Sequence, residues 1–273
     1  MSQLRLSNGG GGGPGPEFLH LALAGTMKVA LTYVLVRWLH VTWDRRSWND
    51  LSLNWEVRAL LRFATGMATG VLLYGLIQAT LWATGSIIWT GALWQLTSWN
   101  WTMAKVAGGA MNLLGGAFVE ELFFRGYLLQ LVRRQYGWGW AAAITSVLFS
   151  AMHLLNPAYQ GPLAFLMAFL LGCTFVLMVI YHGSLWVPIG LHFAWNYTQM
   201  HLWQVVDGPL EPAQGVLVFR SVGGSWLNTG AFQPVGSAVE VLAVLILFSG
   251  YFFLYWRGRR ADSSLLQPTS LRL

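Results

Sequence analysis

The chain has 273 residues, of which 55% are hydrophobic and only 10% charged. A soluble domain carries about 25% charged residues to coat its surface, so a water-soluble globule is excluded, and the aliphatic and aromatic content excludes disorder. The net charge of +6 does not mark nucleic-acid binding, because the basic residues fall between apolar segments, the pattern of a polytopic membrane protein.

In chain order, Gly9 to Gly13 with Pro14 and Pro16 has no periodicity and little to bury, so residues 1–17 read as a disordered lead. The lead lacks the basic n-region and small-residue cleavage site of a signal peptide, and targeting is expected to rest on the first span. A bilayer core needs about 20 apolar residues per helix. Runs of that length predict seven spans, near 18–42, 59–84, 103–130, 138–156, 161–182, 184–203 and 236–257. The expected fold is all-α, a transmembrane helical bundle with a polar site near the bilayer midplane. Asn156-Pro157 ends the fourth span, since the residue before proline is pushed out of the α region, and His182-Gly183-Ser184 separates the fifth from the sixth. Ser86 to Trp101 is apolar but short and reads as a loop or interfacial hairpin; 204–235 reads as a long loop.

Loop charges set orientation. Arg45, Arg46, Arg58 and Arg62 lie between spans one and two, Arg133 and Arg134 between three and four, and Arg257, Arg259, Arg260 and Arg272 after span seven. The alternate side holds only Arg5 and Arg220. The positive-inside rule then predicts an outside N-terminus and a cytoplasmic C-terminus, with 258–273 as a cytoplasmic tail. Trp82, Trp89, Trp94, Trp99, Trp101, Trp138, Trp140, Trp203 and Trp256 fall near span ends as an interfacial belt. Cys173 is alone and lies in an apolar run, so it reads as a small buried side chain.

An ionisable group inside the hydrocarbon costs at least about 2.5–3.5 kcal/mol on insertion scales, which makes each one a functional candidate. Glu120, Glu121 and Arg125 sit on the third span, His153 on the fourth, and His192 and Asn196 on the sixth. Glu121 and Arg125 are four apart and can pair on one helix face; Glu120 is rotated about 100° from them. At 1.5 Å per residue, Glu120 lies about 20 Å from Arg133, His153 roughly 24 Å from the end of the 134–137 loop, and His192 about 14 Å from Gly183. Three helices thus deliver these groups to one depth. Glu240, Lys28, Lys105 and Arg37 lie nearer span ends, where they are expected to snorkel, and His20, His40, His182 and His201 are expected to be interfacial.

A carboxylate and an imidazole around one water can deprotonate it, while a second His with an Asn supplies donors for a developing oxyanion. These are the parts of amide or ester hydrolysis. Glu120, His153 and His192 could instead hold Zn²⁺, since His₂Glu with an open position is a catalytic ligand set, and Glu121 would then become the candidate base. Two other classes also fit such a polar set: a non-catalytic membrane binding protein, and a proton-coupled transporter using Glu120 and His153 as a relay.

Glu120-Glu121-Leu-Phe-Phe-Arg125, Phe149-x-x-x-His153 and His192-x-x-x-Asn196 resemble, in order and spacing, the three motifs of the CAAX protease and bacteriocin-processing (CPBP, or Abi) family of intramembrane peptidases. The flank Gly183 to Ile189 and the stretch Gly223 to Glu240 look like that family too. The resemblance covers about residues 59–257, which it marks as a catalytic core, leaving 18–58 as a first span with its cytoplasmic loop. It implies that Glu120 with His153 activates water, that His192 and Asn196 stabilise the oxyanion, and that Glu121 and Arg125 support the site. The implied function is endopeptidase cleavage near the C-terminus of a lipidated (CAAX-type) or membrane-embedded peptide, or bacteriocin immunity without catalysis. The implied partners are that peptide or lipidated protein and membrane lipids, in a bacterial inner membrane.

Overall fold

The computed structural model describes residues 14–96, 98–156, 161–206, 215–222 and 236–265. The Gly9 to Gly13 lead, Pro157, the 223–235 part of the Gly-rich stretch and Arg272 lie outside the described residues.

The elements in order are α1 (Pro14–Arg37), α2 (Val57–Ala83), β1 (Ile87–Ala92), α3 (Leu93–Leu96), α4 (Trp99–Glu121), α5 (Leu129–His153), α6 (Pro162–His182), α7 (Trp186–Tyr197), β2 (Trp203–Val206), β3 (Leu217–Ser221) and α8 (Ala238–Leu265). Three π-helical segments, Trp38–Trp43, Leu122–Leu128 and Thr198–Leu202, extend or join helices. The fold is helical, as expected, and among the described residues four helical stretches are long and apolar enough to cross a bilayer: Phe18–Trp43, Val57–Ala83, Pro162–His182 and Ala238–Arg259. The seven-span count is not reached by that measure. The predicted third and fourth spans form one path, running from α4 through the π segment into α5, which turns at Gly137. There φ is 77° and ψ 177°, a backbone state that glycine adopts without Cβ strain. The sixth is short, because α7 ends at Tyr197 and passes into π-helix.

The stretch expected to be a loop or hairpin is corrected. Ile87 to Ala92 is an edge strand of a three-stranded sheet ordered β1-β3-β2, and the long loop supplies the other two strands. β1 runs antiparallel to β3 with a bulge between Trp89 and Gly91, and β2 runs parallel to it. Runs such as Ile-Ile-Trp-Thr and Leu-Val-Phe carry the β-branched and aromatic side chains that fit a pleated surface, and Val218 and Val206 bury against Leu93.

Close helix crossings position the site. Gly66 and Gly70 form a Gly-x-x-x-Gly face on α2 that lies against α7; a Cβ on Gly70 would stand 2.8 Å from the Leu191 carbonyl oxygen. Gly25 of α1 likewise meets α4, where an added Cβ would be 2.7 Å from the Met111 carbonyl oxygen. α7 is thereby held between α2 and α4, and α5 packs on α6, which packs on α8. The outer faces are apolar: Leu19, Leu23 and Leu31 on α1, Leu72 and Leu76 on α2, and Leu242, Ile246 and Phe253 on α8 are exposed, as lipid-facing residues are.

Several polar residues expected at the interface are not there. Glu240 is fully buried. Its Oε2 accepts a 2.6 Å hydrogen bond from the Gly236 amide, while its own amide donates to Ser237 Oγ at 3.1 Å, a reciprocal cap that satisfies the start of α8. Lys28 does not reach a helix end but donates to Asn112 Oδ1 at 3.1 Å across the α1–α4 crossing. His40 and His201 are buried, His201 over Gly109, where a Cβ would collide with its ring. For Glu240 and His40 a nearby backbone group takes the place of water, a partner that residue spacing does not reveal.

Candidate active site

Glu120 and Glu121 close α4, and the chain passes at once into the π-helical turn Leu122–Leu128 that carries Arg125. Such bulges insert one extra residue per turn and redirect side chains at functional sites. His153 is the last residue of α5, and His192 and Asn196 lie one turn apart on α7.

The structure brings the expected residues together. Glu121 and Arg125 are both fully buried, with Nη1 of Arg125 donating to Glu121 Oε1 at 3.0 Å. The same Oε1 stands 2.9 Å from His192 Nδ1. Nε2 of His192, on the other side of the ring, is 3.8 Å from Glu120 Oε2, and Nε2 of His153 is 4.0 Å from that same oxygen. His153 is oriented by its own helix, because Nδ1 lies 2.8 Å from the Phe149 carbonyl oxygen. His153, His192 and Asn196 line one small cavity with Phe149 and Trp195.

Tautomers follow from these partners. A carbonyl oxygen can only accept, so His153 Nδ1 donates to Phe149 and Nε2 faces Glu120 as the second ring nitrogen. A carboxylate oxygen that already takes the Arg125 proton likewise accepts from His192 Nδ1. Two Nε2 atoms therefore converge on one carboxylate oxygen, which is buried and accepts no hydrogen bond from the protein. Separations of 3.8 and 4.0 Å exceed direct hydrogen bonding and suit a group placed between them.

Residue spacing missed the aromatic packing that holds this arrangement. The Arg125 guanidinium carbon lies 4.1 Å from the Phe149 ring centroid and 5.0 Å from that of Phe175, so apolar faces cover a cation that is otherwise bonded only to Glu121. Phe175 in turn stacks on His192, with centroids 5.4 Å apart and planes at 23°. Phe149 belongs to the Phe149-x-x-x-His153 string, but Phe175 lies in an unbroken apolar run and carries no local signal. Phe193, on the same helix as His192, is buried and stacks on Phe63 and Tyr197.

No curated protein and no solved structure matches the chain. Residues 102–198, which hold all six site residues, match the family model described as type II CAAX prenyl endopeptidase Rce1-like. The segment that builds the site is thus similar to the CAAX prenyl endopeptidases, and the four long apolar helices around it suit an integral membrane protein.

Proposed function

We propose that this chain is an intramembrane endopeptidase that hydrolyses a peptide bond near the C-terminus of a lipidated (CAAX-type) or membrane-embedded peptide. The observation that carries this reading is the convergence of His153 Nε2 and His192 Nε2 on Glu120 Oε2 at 4.0 and 3.8 Å. A water hydrogen-bonded between Glu120 and His153 loses a proton to this pair as its oxygen attacks the scissile carbonyl. The carbonyl oxygen becomes the oxyanion, which His192 and the Asn196 carboxamide stabilise as donors. Donation from His192 Nε2 needs a proton on both ring nitrogens, and the Glu121 carboxylate on Nδ1 is the counter-charge for that form. Collapse of the intermediate breaks the C–N bond, and the proton held by Glu120 and His153 passes to the leaving amine. Arg125 fixes the Glu121 carboxylate and so the His192 ring.

The donors also match zinc in kind, one oxygen and two nitrogens, each imidazole braced through its other nitrogen. Bound there, zinc would supply Lewis-acid polarisation of water or carbonyl. Among the described residues no three His, Cys, Asp or Glu side chains are gathered as a group able to hold an ion, and the steps above are written with the chain's own groups. Elemental analysis decides between them. About one zinc per chain in the purified protein, lost in His192→Ala, places a metal at Glu120, His153 and His192; zinc-free protein with full turnover leaves the carboxylate and imidazole to act on water alone.

The direct test is turnover of a fluorogenic prenylated peptide in detergent by wild type, Glu120→Ala, His153→Ala and His192→Ala. Cleavage by wild type that all three variants lose supports the peptidase; equal turnover by all four overturns it.

A further inference from the structure

An apolar cleft of about 520 Å³ opens between α1 and α2, floored by α4 and the start of α7. Its walls are Val29, Leu60, Phe63, Leu114, Phe118 and Trp186. It shares no lining residue with the cavity at His153 and His192. The helices on either side present exposed leucines outward, Leu23 and Leu31 on α1 and Leu72 and Leu76 on α2, so the cleft faces the bilayer.

One end of the cleft carries a charged lining residue, and a charge of the other sign follows one helical turn beyond the lining. Glu56, just before α2, borders the cleft beside Trp55 and is exposed. On α1, Val29, Tyr33 and Arg37 recur every four residues, which places them along one face, and the first two line the cleft. Arg37 lies one turn beyond Tyr33, its guanidinium carbon 5.8 Å from the Trp48 ring centroid, and Trp48 in turn packs edge-on against Tyr33 at 4.9 Å. An apolar slot bordered by an exposed carboxylate, with an exposed guanidinium one turn beyond its lining, complements a molecule with a hydrocarbon chain, an anionic group and a cationic group.

We infer that this cleft is a binding site for a bilayer aminophospholipid, with an acyl chain between α1 and α2, the phosphate at Arg37 and the ammonium at Glu56. A choline headgroup offers Glu56 charge without N–H donors, and a glycerol headgroup offers it no cation, so the pair of side chains discriminates among phospholipids with identical chains. The inference rests on the membrane setting and not on peptidase activity, and it survives or fails independently of the catalytic assignment.

The test is native mass spectrometry of the full chain released from micelles doped with phosphatidylethanolamine, phosphatidylcholine or phosphatidylglycerol of the same acyl composition. The expected result is one retained phosphatidylethanolamine per chain, favoured over the other two by about fivefold, the effect of one partly exposed charge pair. Glu56→Gln should abolish that preference, Arg37→Gln should weaken retention of all three lipids, and Leu114→Trp, which fills the slot, should remove retention. Both charged positions are exposed, so the first two variants keep the fold even if the third does not. Absence of a retained lipid, equal retention of all three by wild type, or displacement of the lipid by a farnesylated peptide would overturn the inference, the last by making the cleft a substrate site.

Discussion

Around His40 and around His192 the chain buries an imidazole beside a carboxylate, and the two regions use it differently. His40 places Nε2 2.9 Å from the Ser47 carbonyl oxygen and Nδ1 4.0 Å from Asp44 Oδ2, so both nitrogens face the turn that follows the π-helical end of α1. His192 gives Nδ1 to Glu121 and turns Nε2 toward Glu120, and His153 gives Nδ1 to its own helix and does the same. Both regions contain a π-helical turn, a buried ring and an acid. What differs is the second nitrogen: around His40 it closes a local turn, and in the site it meets a carboxylate delivered by another helix. A buried histidine becomes a candidate for chemistry through the nitrogen that it turns toward a carboxylate from another helix.

The largest effect should come from removing the carboxylate on which both rings converge. Glu120→Ala is expected to lower kcat/KM by about 10²–10⁴, the range for losing a general base, with little change in thermal stability in detergent. Glu120 is part-exposed, and its Oε2 has no hydrogen bond to lose. Turnover near that of wild type would break the distinction between the two regions.

Arg125 and Glu121 sharpen it by separating stability from activity. Arg125→Leu leaves a buried carboxylate without its cation and should destabilise the protein by about 3–5 kcal/mol, whereas Glu121→Leu with Arg125→Leu removes both charges and should recover most of that loss. Activity should not recover, because His192 Nδ1 then has no acceptor to orient the ring. Thermal unfolding and turnover of the single and double variants check this; a double variant that is stable and active would reduce Glu121 and Arg125 to packing.

Much of this was legible without coordinates because charge is rare in the chain. With 10% of residues charged, Glu120, Glu121 and Arg125 stand out inside an apolar run, and helical arithmetic alone puts them at the depth of His153 and His192. The Glu121–Arg125 pair follows from their spacing of four, although the helix is π rather than α across Arg125. What spacing cannot show is which nitrogen a ring offers, since that depends on the Phe149 carbonyl and on a glutamate from another helix. Nor does it show Phe175, one apolar residue among many, or the parallel pairing of β2 with β3, whose register depends on partners distant in sequence. Glu240 and His40 read as interfacial for a related reason: their satisfying partners are the Gly236 amide and the Ser47 carbonyl, backbone groups that every residue possesses.

Phe175 should give an intermediate effect. Its ring lies flat on His192 and also caps Arg125, contacts worth about 0.5–1.5 kcal/mol for an aromatic pair. Phe175→Leu keeps the apolar wall but loses the stacking face, and is expected to lower kcat by about 3–10-fold with KM unchanged. Phe175→Tyr, which keeps the face, should retain more activity than the leucine variant if its hydroxyl is accommodated. A change confined to KM would assign Phe175 to substrate binding instead of ring positioning.

The smallest catalytic effect should be at His40, where the comparison is most exposed to failure. Replacing His40 with Asn removes the ring that packs edge-on toward Tyr127, 6.1 Å between centroids, and the hydrogen bond to Ser47. Ser47 is exposed, so water can take the place of the lost partner, and the cost in stability is about 0.5–1.5 kcal/mol, that of one hydrogen bond. Because Tyr127 lies in the same π-helical turn as Arg125, any distortion has a short path to the site. The assignment of His40 as a staple nonetheless requires kcat/KM to be unchanged at temperatures where the variant is folded. Thermal unfolding and turnover measured on the same preparation separate the two outcomes. A loss of activity matching that of His192→Ala, in protein that is still folded, would mean that the turn after α1 takes part in the chemistry and that the second nitrogen is not what distinguishes these histidines.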